Sequence, residues 1–132
     1  MLDSLAIVVD DNPLIVETIA ACLSCEGFCV KGFTFGWAAV SWYAENYKEV
    51  VLVVLDINMP EMDGFECFDQ MRKFNSEQVI AFCSAEPRAE IEPHIKALGE
   101  VPYFQKPACL GELAIWARTE AGFPLPNDLR LA

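Results

Sequence analysis

Apolar residues in this chain gather in two kinds of stretch that take turns. The first kind is short and unbroken: Leu5 to Val9, Val50 to Leu55 and Val79 to Cys83, each followed at once by a polar side chain. Such runs, rich in β-branched residues, predict strands covered on both faces, as in parallel sheets. Val101 to Phe104 predicts a further short strand, and Phe28 to Phe33, which alternates weakly, predicts another. The second kind has apolar positions three or four residues apart and predicts helices. Leu14, Ile15, Thr18, Ile19, Cys22 and Leu23 follow this spacing, with Asn12-Pro13 as cap and first turn and Gly27 as the stop. Gly36 to about Tyr47 predicts a second helix with Trp37, Val40 and Tyr43-Ala44 on its inner side. Asp63-Gly64 opens a third, carrying Phe65, Phe68, Met71 and Arg72. Residues 88 to 98 predict a fourth, with Pro93 in its middle, so the helix either starts at Pro93 or kinks there. Cys109 to Ala121 predicts the last.

Strand and helix thus alternate five times, which predicts an α/β domain: a parallel sheet with helices on both faces. At 132 residues the chain is one domain, spanning 1–121, and Gly122-Phe123-Pro124-Leu125-Pro126-Asn127-Asp128 begins a tail or linker over 122–132. There is no internal repeat and no low-complexity segment.

Charge narrows the function. Twenty acidic residues against nine basic give a net charge of -11, which argues against direct binding of nucleic acid, because phosphate contacts rest on Lys and Arg. No stretch approaches the roughly 20 apolar residues that a membrane span needs. Met1-Leu2-Asp3-Ser4 lacks the basic leader of a signal peptide, so the expected location is cytoplasmic. Cys22-x-x-Cys25 has the spacing of a redox or zinc half-site, but it falls inside a predicted helix and no second pair matches it. The six cysteines are therefore read as reduced, buried, small apolar residues.

The candidate chemistry lies at the strand ends. The first strand delivers Asp10 and Asp11, the third Asp56 and the fourth Ser84, while Lys106 follows the fifth. In open parallel sheets sites form at this carboxyl edge. A strand-end Asp is often just a cap for the next helix, and a single lysine is usually a surface residue, but all five at one edge make a chemical set. Clustered carboxylates raise one another's pKa unless a cation relieves them, and Mg2+ accepts a few carboxylates, waters and a phosphate oxygen. An ionised Asp56 can attack a phosphoryl group, with Lys106 and Ser84 stabilising the phosphoryl oxygens.

Four separated motifs, Asp10-Asp11, Asp56-Ile57-Asn58-Met59-Pro60-Glu61-Met62-Asp63-Gly64, Ser84-Ala85 and Lys106-Pro107, resemble in order and spacing those of response-regulator receiver domains. These CheY-like domains are the phosphoacceptors of two-component signalling, and the resemblance covers about residues 4 to 121. It implies a flavodoxin-like, doubly wound five-stranded sheet of order 2-1-3-4-5. It implies a phosphorylation-dependent switch, not a turnover enzyme, with self-phosphorylation from a phosphodonor and autodephosphorylation. Asp56 would be phosphorylated by a sensor histidine kinase or histidine phosphotransfer protein. Asp11, Asp56 and the Asn58 carbonyl would bind Mg2+, with Asp10 helping through water. Ser84 and Lys106 would stabilise the phosphoryl group, Ser84 and Tyr103 would be the switch pair, and Asn58 and Glu86 would tune its loss. Lys106-Pro107 would carry a cis peptide bond. Leu14 and Ile15 match a kinase-docking patch. An output domain or downstream protein is implied, and a phosphorylation-dependent homodimer is open.

The sequence also departs from the family. Serine stands at 84 where threonine is commoner, Pro93 interrupts the fourth helix, and Glu100 replaces a small residue. The last two touch the face that usually carries output and dimerisation. Two other classes compete with the switch. One is a receiver-like scaffold without phosphorylation, which the complete acidic and lysine set disfavours. The other is an aspartyl-nucleophile phosphohydrolase, whose usual second Asp would stand at Asn12 and whose cap domain has no room here.

Overall fold

The structure is a computed structural model and describes residues 4–106 and 110–122. Five parallel strands form one sheet in the order β2-β1-β3-β4-β5. These are β1 (Leu5–Val9), β2 (Cys29–Phe33), β3 (Val50–Leu55), β4 (Ile80–Ser84) and β5 (Tyr103–Gln105). The helices are α1 (Pro13–Cys25), α2 (Gly36–Asn46), α3 (Gly64–Phe74), α4 (Arg88–Leu98) and α5 (Leu110–Ala121), with a 3-10 turn at Tyr47–Glu49 before β3.

The unbroken strands are unbroken because both faces are covered. Alternate residues of a strand point to opposite sides. Ile7, Val9, Val53, Leu55, Ile80 and Phe82 therefore pack with Ala39 and Tyr43 of α2, Cys67, Phe68 and Met71 of α3, and Ile91 and Ile95 of α4. Their neighbours Ala6, Val8, Leu52, Val54 and Cys83 pack on the other side with Ile19 and Leu23 of α1 and Leu113 and Ala117 of α5. A core polar pair ties α2 to the loop before β4: the Tyr43 hydroxyl donates to Gln78 Oε1 at 2.6 Å.

Local chemistry sets the helix ends. The Asn12 side chain accepts from the Leu14 amide at 2.9 Å, with Pro13 in the first turn, and Gly27 leaves α1 at φ 103°. Asp63 and Glu66 form a reciprocal capping box at the start of α3.

The structure differs from these expectations in several details. Trp37 is not on the inner side of α2; Gly36, Ala39 and Tyr43 fill that face, and Trp37 lies exposed beside Phe35. Helix α4 does not start at Pro93, one of the two alternatives, but runs through it from Arg88, with Ile91 and Ile95 buried on either side. Two cysteines, Cys25 and Cys29, are exposed rather than buried, because they stand on the outer side of α1 and on the edge strand β2. Among the described residues no helix is long and apolar enough to cross a membrane.

Candidate functional site

Strands β1 and β3 are neighbours, so the residues that follow them emerge side by side. The Asp56 amide donates to Val9 O at 2.8 Å, extending the ladder by one residue, and the Asp10 amide donates to Phe33 O at 3.1 Å. Asp10 and Asp56 are buried while Asp11 is exposed, yet carboxylate oxygens of all three lie within 4.8 Å of one another. Asp10 also accepts from the Asn12 amide at 2.9 Å, so it caps the turn into α1 while it faces the site.

The loop after β3 folds tightly beneath Asp56. The Ile57 amide donates to Asp56 Oδ1 at 2.9 Å, and the Gly64 amide donates to Ile57 O at 2.8 Å. A β-carbon at Gly64 would strike the Asp56 carbonyl oxygen, so this close approach requires glycine. Glu61 takes φ 69°, unusual for a side-chain-bearing residue, within a turn closed by the Met62 amide and Pro60 O at 2.7 Å.

Lys106 enters from the other side of the sheet. Its amide donates to Ser84 O at 2.9 Å, which carries the side chain across the edge. Its ammonium donates to Asp10 Oδ2 and lies 3.6 Å from Asp56 Oδ1. Burial lowers the pKa of Lys106, but the hydrogen bond to Asp10 and the charges of Asp56 and Asp10 outweigh this and raise it. Asp56 is pushed up to about 6, first by burial and then by the negative charge of Asp10; Lys106, the Ile57 amide and the Ser84 hydroxyl oppose the rise. Three carboxylates against one ammonium leave the cluster short of positive charge. All-oxygen donors of this kind suit a hard divalent cation.

The loop between β4 and α4 closes the remaining side. Ser84 is buried, and the Glu86 amide donates to its hydroxyl at 3.4 Å. The Asn58 side-chain amide donates to the Glu86 carboxylate, which joins the loop after β3 to the loop after β4. Tyr103 is buried at 7% exposure, and its hydroxyl shares its proton between Ser84 O at 3.1 Å and Glu86 O. Arg88, the first residue of α4, donates to Tyr103 O at 3.3 Å and sets its guanidinium over the tyrosine ring.

The sheet edge therefore brings Asp10, Asp11, Asp56 and Lys106 together, with Asn58 and Glu86 bonded to each other across the neighbouring loops and Tyr103 behind the Ser84–Glu86 segment. Leu14 is 69% exposed at the start of α1, beside the site, whereas Ile15 is partly buried against the α1–α5 side of the core. The Lys106-Pro107 peptide bond and the tail from 123 to 132 lie outside the described residues. Two contributors escaped the sequence. Gly64 was visible as part of a helix start but not as the clearance for Asp56, and Arg88 gave no signal beyond being a charged residue in a predicted helix.

The model of the response regulator receiver domain matches residues 6–117. Chemotaxis protein CheY of Treponema pallidum is 30% identical over 102 residues, covering 76% of this chain and 71% of that protein. Regulatory protein AtoC of Escherichia coli (strain K12) is 31% identical over 109 residues, covering 81% of this chain but 23% of AtoC. Response regulator MprA of Mycobacterium sp. (strain KMS) is 32% identical over 109 residues, and the match covers 81% of this chain and 46% of MprA. The chain thus spans about a quarter of AtoC and under half of MprA. Among solved structures, a receiver domain protein from Clostridium thermocellum superposes with a TM-score of 0.82 at 18% identity, covering 90% of this chain and 94% of that one. A chain of the CheX-CheY-BeF3-Mg2+ complex from Borrelia burgdorferi gives 0.79 at 23% identity, covering 91% of this chain and 90% of that one. The structural likenesses carry the fold, and the family match carries membership: this chain belongs to the response regulator receiver domains, which act as signalling switches and not as conventional enzymes.

Proposed function

We propose that this chain is a phosphorylation-dependent switch whose phosphoacceptor is Asp56. The observation that supports it most is the placement of one buried carboxylate between a buried partner carboxylate and a lysine. Asp56 lies 3.6 Å from the Lys106 ammonium, which is held meanwhile by Asp10.

The proposed donor is a phosphohistidine on a sensor histidine kinase or phosphotransfer protein. One Asp56 carboxylate oxygen forms the new bond to phosphorus as the bond from phosphorus to the imidazole nitrogen breaks, and the leaving imidazole keeps that electron pair. Asp10, Asp11 and Asp56, with the Asn58 main-chain carbonyl, are the residues that would hold Mg2+, which supplies charge neutralisation at the phosphoryl oxygens. The Lys106 ammonium needs to move only slightly from Asp10 to reach an oxygen on phosphorylated Asp56. Ser84 offers its hydroxyl to the same group, and Tyr103 sits behind the Ser84 loop as its switch partner. Asn58 and Glu86, bonded to each other at the mouth of the site, are the residues proposed to set water access and hence the phosphoryl lifetime. The phosphodonor and the proteins that read the switch would meet it in the cytoplasm.

The test is incubation with acetyl phosphate and Mg2+. Wild-type protein gains one phosphoryl group by intact mass and EDTA prevents the gain; Asp56→Asn gains none. Equal labelling of that variant would contradict the assignment.

A further inference from the structure

We infer that Arg88 is a positioning residue for the phosphoacceptor site, acting through Tyr103; this rests on the reading of Asp56 just given. The segment from Ser84 to Arg88 wraps the tyrosine. At its start, the Ser84 and Glu86 carbonyls accept the phenol proton. At its end, Arg88 bonds the tyrosine's own carbonyl at 3.3 Å and lays its guanidinium 5.8 Å from the ring centroid, within the range of a cation–π contact. Pro87, at φ -60°, immediately precedes Arg88 and stiffens the start of α4. The ring of Tyr103 cannot swing out of the core without giving up the contact to the guanidinium, which the bond to the tyrosine's main-chain carbonyl holds in place over it.

The same loop reaches the chemistry. The Ser84 carbonyl accepts from the Lys106 amide at 2.9 Å, and the Glu86 carboxylate holds Asn58. Arg88 touches neither Asp56 nor its phosphoryl group. It holds Tyr103, Tyr103 holds the loop, and the loop presents Ser84. By linkage, whatever favours that arrangement of Ser84 is bound more tightly when Arg88 is present.

The probe is fluoroberyllate, a phosphoryl analogue, titrated calorimetrically with Mg2+ into the full chain. Arg88→Ala lowers fluoroberyllate affinity by roughly five-fold or more. Arg88→Lys, which keeps the charge over the ring but loses the guanidinium fork, falls between. Affinity for Mg2+ alone is unchanged, a split that general loosening of the fold would not produce. In a Tyr103→Leu background, Arg88→Ala has no further effect. Wild-type affinity in Arg88→Ala, or an undiminished Arg88→Ala effect in the Tyr103→Leu background, would overturn the inference. Absence of fluoroberyllate binding by the wild-type protein would instead bring down the phosphoacceptor reading, and this inference with it.

Discussion

The Lys106 ammonium donates its hydrogen bond to Asp10 and not to Asp56, whose nearer oxygen is 3.6 Å away. Asp56 therefore keeps a carboxylate that is buried and only partly compensated, beside a cation engaged elsewhere. In the proposed switch, Lys106 would stabilise the partner carboxylate before phosphorylation and the phosphoryl oxygens after it.

Removing that cation should leave two buried carboxylates facing each other. Lys106→Ala is expected to lose about 1.5–3 kcal/mol of stability at pH 7, the usual worth of a hydrogen bond to a charged group. Urea unfolding measures this. Lys106 holds the Asp56 pKa down, so its removal raises that pKa further; the Asp56 share of the loss is full at high pH and is gone as the pH falls to about 6, the wild-type value. A loss independent of pH would assign Lys106 a packing role.

Asp56 makes the opposite prediction. Its folded pKa of about 6 lies above the ordinary 3.8, so the folded state binds its proton more tightly than the unfolded chain does. The carboxylate then costs stability increasingly as pH rises from about 4 to about 6, and the cost is constant above that. The rise from 3.8 to about 6 corresponds to about 3 kcal/mol as an upper bound. In metal-free buffer, Asp56→Asn should be more stable than wild type by ~1–3 kcal/mol at pH 7 and equal to it near pH 4. Equal melting temperatures at pH 7 would show that Asp56 is not strained by its charge.

A methyl group at residue 64 would collide with the Asp56 carbonyl oxygen. Gly64→Ala should cost about 1–3 kcal/mol through overpacking and should also slow phosphorylation from acetyl phosphate, because the displaced backbone carries the proposed phosphoacceptor. Phosphorylation at the wild-type rate in a destabilised Gly64→Ala protein would separate the glycine from the site.

The cysteines should divide by burial. Cys25 and Cys29 are exposed, whereas Cys67 is buried with its thiol pushed up to about 12, by burial first and then by Asp63 and Glu66. Brief iodoacetamide treatment followed by peptide mapping should modify Cys25 and Cys29 promptly and reach Cys67 and Cys83 only after denaturation. Prompt modification of Cys67 would contradict the packing of α3 on the sheet.

The sheet was legible because β1 and β3 are buried on both faces, which leaves no polar interruption, and because their charged successors mark where the strands open. That mark also pointed to the candidate site. Legibility failed where one side chain had to be assigned to a face or a partner. Trp37 is apolar yet points outward, since α2 needs only small Gly36 and Ala39 with Tyr43 beneath it. The β5 ladder begins at Tyr103 and not at Val101, because Pro102 has no amide to donate and serves only as an acceptor for the Phe82 amide at 2.9 Å. Pro93 removes one hydrogen bond from α4, a local loss that the packing of Ile91 and Ile95 overrides. Arg88 looks like any surface arginine until Tyr103 is brought beneath it.

The most direct measurement is the identity of the modified residue. After reaction with acetyl phosphate and Mg2+, borohydride converts an aspartyl phosphate to homoserine, which tandem mass spectrometry can place in the chain. Homoserine at position 56, and unmodified aspartate at 10 and 11, is the predicted result. Homoserine at 10 or 11, or none anywhere under conditions that add a phosphoryl group to the intact protein, would contradict Asp56 as the phosphoacceptor.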